Sequence, residues 1–155
     1  ESDFFFFFIC DLALMQGGDG TVAIRNSKCL SADVNAGIDP TFQDVMERRN
    51  ASRLNYGVVV TKYTGARGKS GTSDASAEYM ASVRKLLDEK GIIWQSGELG
   101  RVDLGGGGTV AQFIANMGVD VVDLGVPVLS MHAPFETTAK LDIYMCHRAM
   151  YEFMK

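Results

Sequence analysis

Hydrophobic positions along this chain fall into short apolar runs alternating with longer stretches of helical period. The most apolar stretch, 4–9, keeps helical character to about Met15; Ser2 or Asp3 is placed to cap it and Gln16-Gly17-Gly18 to stop it. A helix apolar on nearly every side has to be covered on nearly every side, which predicts further polypeptide upstream. Short apolar runs at 28–32, 57–61 and 92–94 read as strands. Between the last two, the segment 74–89 places Ala77, Met80, Ala81, Val83, Leu86 and Leu87 on an apolar face and is closed by Gly91, which predicts an amphipathic helix. A glycine run at 105–108 is followed by a predicted helix over 109–117, strands over 119–124 and 126–131, and a last helix over about 135–153. The alternation predicts an α/β fold, a three-layer sandwich whose mixed, largely buried sheet is flanked by helices. There is no internal repeat or linker.

Composition narrows the picture. A chain of 155 residues with 46% hydrophobic and 22% charged residues suits one compact domain, and a net charge of -4 leaves no electrostatic footprint for nucleic acid. The phenylalanine stretch lacks a preceding basic region, is flanked by Asp3 and Asp11, and falls well short of the about 20 apolar residues a spanning helix needs, so neither a signal peptide nor a membrane span is expected. Cys10, Cys29 and Cys146 are odd in number, far apart and set in apolar runs, as expected for buried thiols of a reducing compartment, with the cytoplasm as default. The Asn50-Ala51-Ser52 sequon is then a chance match.

Three constellations could carry chemistry. Gly65-Ala66-Arg67-Gly68-Lys69-Ser70 lies between a predicted strand and a predicted helix, as a phosphate-binding P-loop does. Tyr63 stands where that motif needs its first glycine, and Gly71-Thr72-Ser73 delays the helix, so a surface or substrate-facing loop is the competing reading. The four glycines at 105–108 would let backbone approach a ligand at a helix N-terminus, or simply make a tight turn. Asp33 and His132 each stand where an apolar run ends, the place where an α/β sheet presents functional groups. Pro134 would force an extended approach to a helix carrying Glu136, holding the His132 ring at the sheet rim, whereas His147 sits within the last predicted helix and reads as structural.

Four blocks together resemble the aspartyl-aminopeptidase family of dinuclear metallo-aminopeptidases, in its bacterial and vacuolar-type members. They are Asn26-Ser27-Lys28 through Ser31-Ala32-Asp33-Val34-Asn35-Ala36 with Asp39-Pro40, the segment from Lys62-Tyr63-Thr64 to Ser70-Gly71, Gly97-Glu98-Leu99-Gly100-Arg101-Val102-Asp103 with the glycine run, and Ser130-Met131-His132-Ala133-Pro134-Phe135-Glu136. The resemblance runs from Phe4 onward. It implies a phosphorylase/hydrolase-like catalytic domain in which two divalent ions, zinc or else cobalt or manganese, are bridged by an aspartate and a water. Asp33 and His132 match ligands of two different ions, Lys62 matches a lysine lining the substrate pocket and hints at tolerance of acidic residues, and Gly106, Gly107 and Gly108 border that pocket. The resemblance also implies peptide substrates and a large homo-oligomer.

The departure from the family is one of extent. The bridging aspartate, a further histidine and a pair of adjacent glutamates, one of them the general base, come in the family from a region N-terminal to everything here, and the oligomerisation domain has no counterpart either. Residues 1–155 would thus be the C-terminal part of a catalytic domain, a fragment carrying no catalytic residue of its own and inactive without the missing N-terminal part of the enzyme. The competing classes are a P-loop-like nucleotide module and a non-catalytic assembly module.

Overall fold

The computed structural model describes residues 3–67, 70–101 and 103–155. Its centre is a four-stranded sheet of β1 (Lys28–Ser31), β8 (Asp120–Gly125), β3 (Val58–Thr61) and β6 (Trp94–Ser96), in that spatial order. β1 runs parallel to β8 and β6 parallel to β3, while β3 and β8 are antiparallel, so the sheet is mixed as expected. Val58, Val59, Val60, Val122 and Leu124 are almost wholly buried, as a sheet covered on both faces requires.

Strand alternation divides that burial between two layers. Val58, Val60, Val122 and Leu124 share a core with Tyr79, Val83 and Leu87 of α3 (Ala77–Glu89) and Met145 and Ala149 of α5 (Lys140–Phe153). The other face carries Asp123 of β8 and meets the start of α4 (Ala111–Ala115), where Ala111 is fully buried. The α3 helix begins later than its periodicity suggests, because Ser76 caps it through the Tyr79 amide while 70–74 forms a strand, β5 (Ser70–Asp74). β5 pairs back on β4 (Tyr63–Ala66), and β4 pairs with β7 (Gly106–Gly107), so part of the expected glycine loop is strand.

Other boundaries move for equally local reasons. The strand expected over 92–94 starts only at Trp94, since the Ile92 amide is occupied with Leu87 O at 2.9 Å. The run 126–131 yields the two-residue strand β9 (Pro127–Val128), parallel to β2 (Asn35–Ala36). Beyond it Leu129 bridges to Thr137, so 136–139 returns without helix and α5 begins only at Lys140.

The N-terminal helix α1 (Phe4–Met15) has the boundaries its sequence predicts. Asp3 stands at the cap position without a side-chain cap bond, and the alternative cap, Ser2, lies outside the described residues. α1 packs on α2 (Gly20–Arg25), a short helix with no strong apolar period, at a spot where Gly20 has no room for a side chain: a Cβ there would sit 2.4 Å from Cys10 Cα. No residue of α1 is buried; Phe4 is 74% and Phe7 58% exposed.

Candidate metal centre and substrate cleft

Asp33 stands at a bend forced by the end of β1. Its amide donates to Ser31 O at 2.9 Å and its Oδ1 accepts from the Val34 amide at 2.7 Å, so the side chain is tied to its own turn. Gly125, at the end of β8, passes directly against it; a Cβ at that position would lie 1.4 Å from Asp33 O. The carboxylate is partly buried and lines a cavity of ≈ 20 Å³ together with Thr61, Thr64, Gly107, Thr109 and Asp123.

Asp123 was hidden in the apolar run 119–124. It is 6% exposed, stands opposite Ser31 and Thr61 in the two ladders of β8, and its Oδ2 accepts from Thr109 Oγ1 at 3.0 Å. Its Oδ1 and the Ser31 hydroxyl are both buried without a hydrogen bond. Burial pushes the Asp123 carboxyl above the usual carboxylate range; the nearby Ser31 and Thr109 hydroxyls oppose this, and the Asp33 charge adds to it. The signal that could have found it is a carboxylate amid apolar residues of a strand expected to be buried, an arrangement too costly to persist without a partner.

Next to this cavity, and sharing Thr64 and Leu99 with it, is a cleft of ≈ 380 Å³ lined by Lys62, Asp74, Glu98, Arg101 and Gly106. Lys62 is exposed and ion-paired with Asp74, which the β4–β5 hairpin places beside it, so part of the charge available to an acidic substrate group is already offset. The glycines serve close backbone approach: a Cβ on Gly107 would meet Leu99 Cδ2 at 2.8 Å and one on Gly108 would meet Gly71 O at 2.9 Å. Thus Gly106 and Gly107 border the two cavities while Gly108 packs on the hairpin. The hairpin also removes the P-loop alternative. Ser70 opens a strand rather than a helix, and the nearest following helix is capped by Ser76; Lys69 lies outside the described residues.

His132 is placed on an exposed turn rather than directly before a helix. Ala133 N donates to Ser130 O at 2.9 Å, both Ser130 and His132 have positive φ, and the Glu136 carboxylate accepts from the His132 amide at 2.6 Å. Glu136 therefore fixes the turn from the returning extended segment, which corrects the expectation that it lies on a helix. His132 does not line the Asp33 cavity; the β2–β9 pair separates them in the chain path, Asp33 preceding Asn35 and His132 following Val128. Among the described residues, no group of three or more His, Cys, Asp or Glu converges in a metal-binding arrangement. His147 is exposed on α5 with its ring stacked near Tyr151.

Known proteins align with this arrangement over nearly the whole chain. A family profile described as aminopeptidase I zinc metalloprotease (M18) matches residues 2–154. A probable M18 family aminopeptidase 1 of Clostridium acetobutylicum is 46% identical over 148 residues, covering 93% of this chain and 32% of the relative. Its counterpart in Thermotoga maritima is 49% identical over 132 residues, covering 83% and 29%. The crystal structure of the M18 aminopeptidase from Thermotoga maritima superposes with a TM-score of 0.95 at 42% identity, covering 100% of this chain and 36% of that one. That of aminopeptidase I from Clostridium acetobutylicum gives 0.91 at 44% identity, covering 100% and 34%. The chain therefore spans about a third of the length of these relatives. With the profile matched from end to end and the sheet, glycine run and Asp33 turn in place, the chain belongs to the M18 family of zinc metallo-aminopeptidases.

Proposed function

We propose that the chain is the C-terminal part of the catalytic domain of an enzyme that hydrolyses the N-terminal peptide bond of peptides at a dinuclear metal centre. The observation that carries this is the shared wall of the two cavities: the Asp33 carboxylate lines one, Lys62 and Gly106 line the other, and Thr64 and Leu99 belong to both. A ligand carboxylate thus adjoins a cleft large enough for a terminal residue. The buried, unpartnered oxygen of Asp123 beside Asp33 fits a cation nearby.

In this reading Asp33 and His132 each hold a different one of two divalent ions, zinc by preference. Such a centre, when loaded, supplies a water acidic enough to act as nucleophile at neutral pH. The chain's own share is positional. Asp33 is fixed by its bend and by Gly125, Glu136 fixes the turn bearing His132, Lys62 and Gly106 line the substrate side, and Gly107 and Gly108 support that loop from the Asp33 cavity and the hairpin. The general base and the bridging carboxylate belong to the part of the enzyme N-terminal to this chain, which is also the reading's cover for α1. Assembly into a homo-oligomer and a cytoplasmic location belong to the same proposal. The three cysteines are free thiols, and among the described residues no helix is long and apolar enough to cross a membrane.

One protein ligand per ion is too few for tight binding when structural and catalytic zinc sites use three or four. The chain alone is accordingly expected not to hydrolyse aminoacyl anilides or short peptides with added zinc, cobalt or manganese. Turnover by the isolated chain, abolished both by chelator and by His132→Ala, would overturn that expectation. Co-expression with an N-terminal segment of an M18 relative is expected to yield chelator-sensitive aminopeptidase activity that Asp33→Asn removes; activity untouched by Asp33→Asn would sink the assignment.

A further inference from the structure

Among the described residues, the cavity beside Asp33 is lined by two carboxylate residues and by no cationic side chain. Asp123 is 6% exposed; its Oδ2 accepts from Thr109, and among the described residues its enclosed Oδ1 has only the Ser31 hydroxyl close by and no cationic group. A buried carboxylate served by hydroxyls alone, with no counter-charge, is costly, and here a second carboxylate residue, Asp33, lines the same ≈ 20 Å³ space. The fold enforces the arrangement: β8 runs between β1 and β3, so residue 123 faces Ser31 on one side and Thr61 on the other, neither able to neutralise it. On its far side Asp123 holds Thr109, whose hydroxyl also accepts from the Ala111 amide at 3.3 Å and so starts α4 directly after the glycine run.

We infer that Asp123 is a positioning residue for the cation carried by Asp33: its buried charge stands behind the ligand carboxylate and strengthens its hold on a divalent ion, while Thr109 ties the glycine run to the same point. The inference rests on the metal role proposed for Asp33 and extends it to a residue that no motif block contains. Groups just outside a metal's ligands commonly change its affinity by about 10- to 100-fold. Here the link also makes the substrate-side loop and the metal side one mechanical unit.

Titration of Mn²⁺ alone into the chain, carried to millimolar concentration because one protein ligand per ion holds it weakly, and followed by paramagnetic broadening of backbone amides, tests it. Broadening is expected to centre on Val34, Gly107 and Thr109, to vanish in Asp33→Asn, and to require roughly tenfold more Mn²⁺ in Asp123→Asn. The amide keeps an acceptor for Thr109 but lacks the charge, so a merely structural Asp123 would leave the affinity unchanged. Asp123→Ser, smaller and also neutral, is measured alongside and is expected to weaken binding by a similar factor, which covers misfolding of either variant. If Asp33→Asn abolishes binding but both Asp123 variants bind as the unsubstituted chain does, this inference fails and the role of Asp33 stands. Broadening indifferent to Asp33→Asn, or absent from the unsubstituted chain, overturns both.

Discussion

Two carboxylates in this chain are buried for different ends. Asp142, in the first turn of α5, is 0% exposed and accepts from the amides of Asn55 and Gly57, both at 2.7 Å. Those two residues have positive φ and make the turn that feeds β3, so Asp142 is a structural clamp. Asp142→Ala leaves both amides without their partner and is expected to cost roughly 3 kcal/mol of unfolding free energy, read by urea denaturation; a loss below a few tenths would show that water replaces the clamp. Asp123 is nearly as buried, with a hydrogen bond on only one of its oxygens, and the contrast is what separates a scaffold carboxylate from one aimed at a site. Gly125 marks a third kind of constraint. Gly125→Ala must push Asp33 O away from 1.4 Å, so it is expected to weaken metal binding, with the amides of β6, which does not touch β8, unshifted in NMR spectra. Of these residues, only Asp33 announced itself in the sequence, because it ends an apolar run inside a polar motif; Asp123 and Gly125 gain their meaning from neighbours some 90 positions away.

Elements were legible where hydrophobic period is a local property. α1, β1, β3, α3 and β8 lie where the pattern of apolar residues puts them, to within a few positions. The failures occur where one segment competes with another for backbone partners: 70–73, expected as loop, and Asp74, expected to open the helix, join a hairpin, and Thr137 bridges to Leu129 instead of lying in α5. The α2 helix has too little period to be seen and depends on its cap. Asp19 Oδ1 accepts from the amides of Thr21 and Val22 and from the Thr21 hydroxyl, and these bonds, the hydroxyl first, hold its carboxyl below the usual range. A depressed carboxyl contributes stability that is present above its unfolded value near 3.8 and is lost as pH falls through the lower folded value. Asp19→Ala is therefore expected to lower protection of the 22–25 amides from hydrogen exchange at pH 6 and to make little difference near pH 2; equal effects at both would rule out the ionised cap.

At the scale of the molecule, α1 is the least self-sufficient part. Phe4, Phe7, Leu14 and Met15 are each more than half exposed, and a groove between α1 and α4 is bordered by Phe5, Phe6, Phe113 and Met117. Apolar patches of this kind mark surfaces that are covered in the working protein. The isolated chain is expected to bind a hydrophobic dye and to self-associate with rising concentration, and Phe4→Ser with Phe7→Ser to suppress both without lowering the unfolding midpoint. A monomer by sedimentation with strong exchange protection across α1 would contradict this.

What the sequence determined by itself was the kind of element at most apolar blocks, the α/β class and the family, because hydrophobic period and motif blocks are carried by neighbouring residues. By resemblance it also assigned Asp33, Lys62 and the glycines to the one site proposed above. Only the tertiary structure decided that β8 threads between β1 and β3 with opposite senses to its two neighbours, that Gly106 and Gly107 form a strand against β4, and that Asp123 faces the Asp33 cavity. Strand order and register are settled by which distant backbones exchange hydrogen bonds and which side chains then share a face, and no local period encodes that.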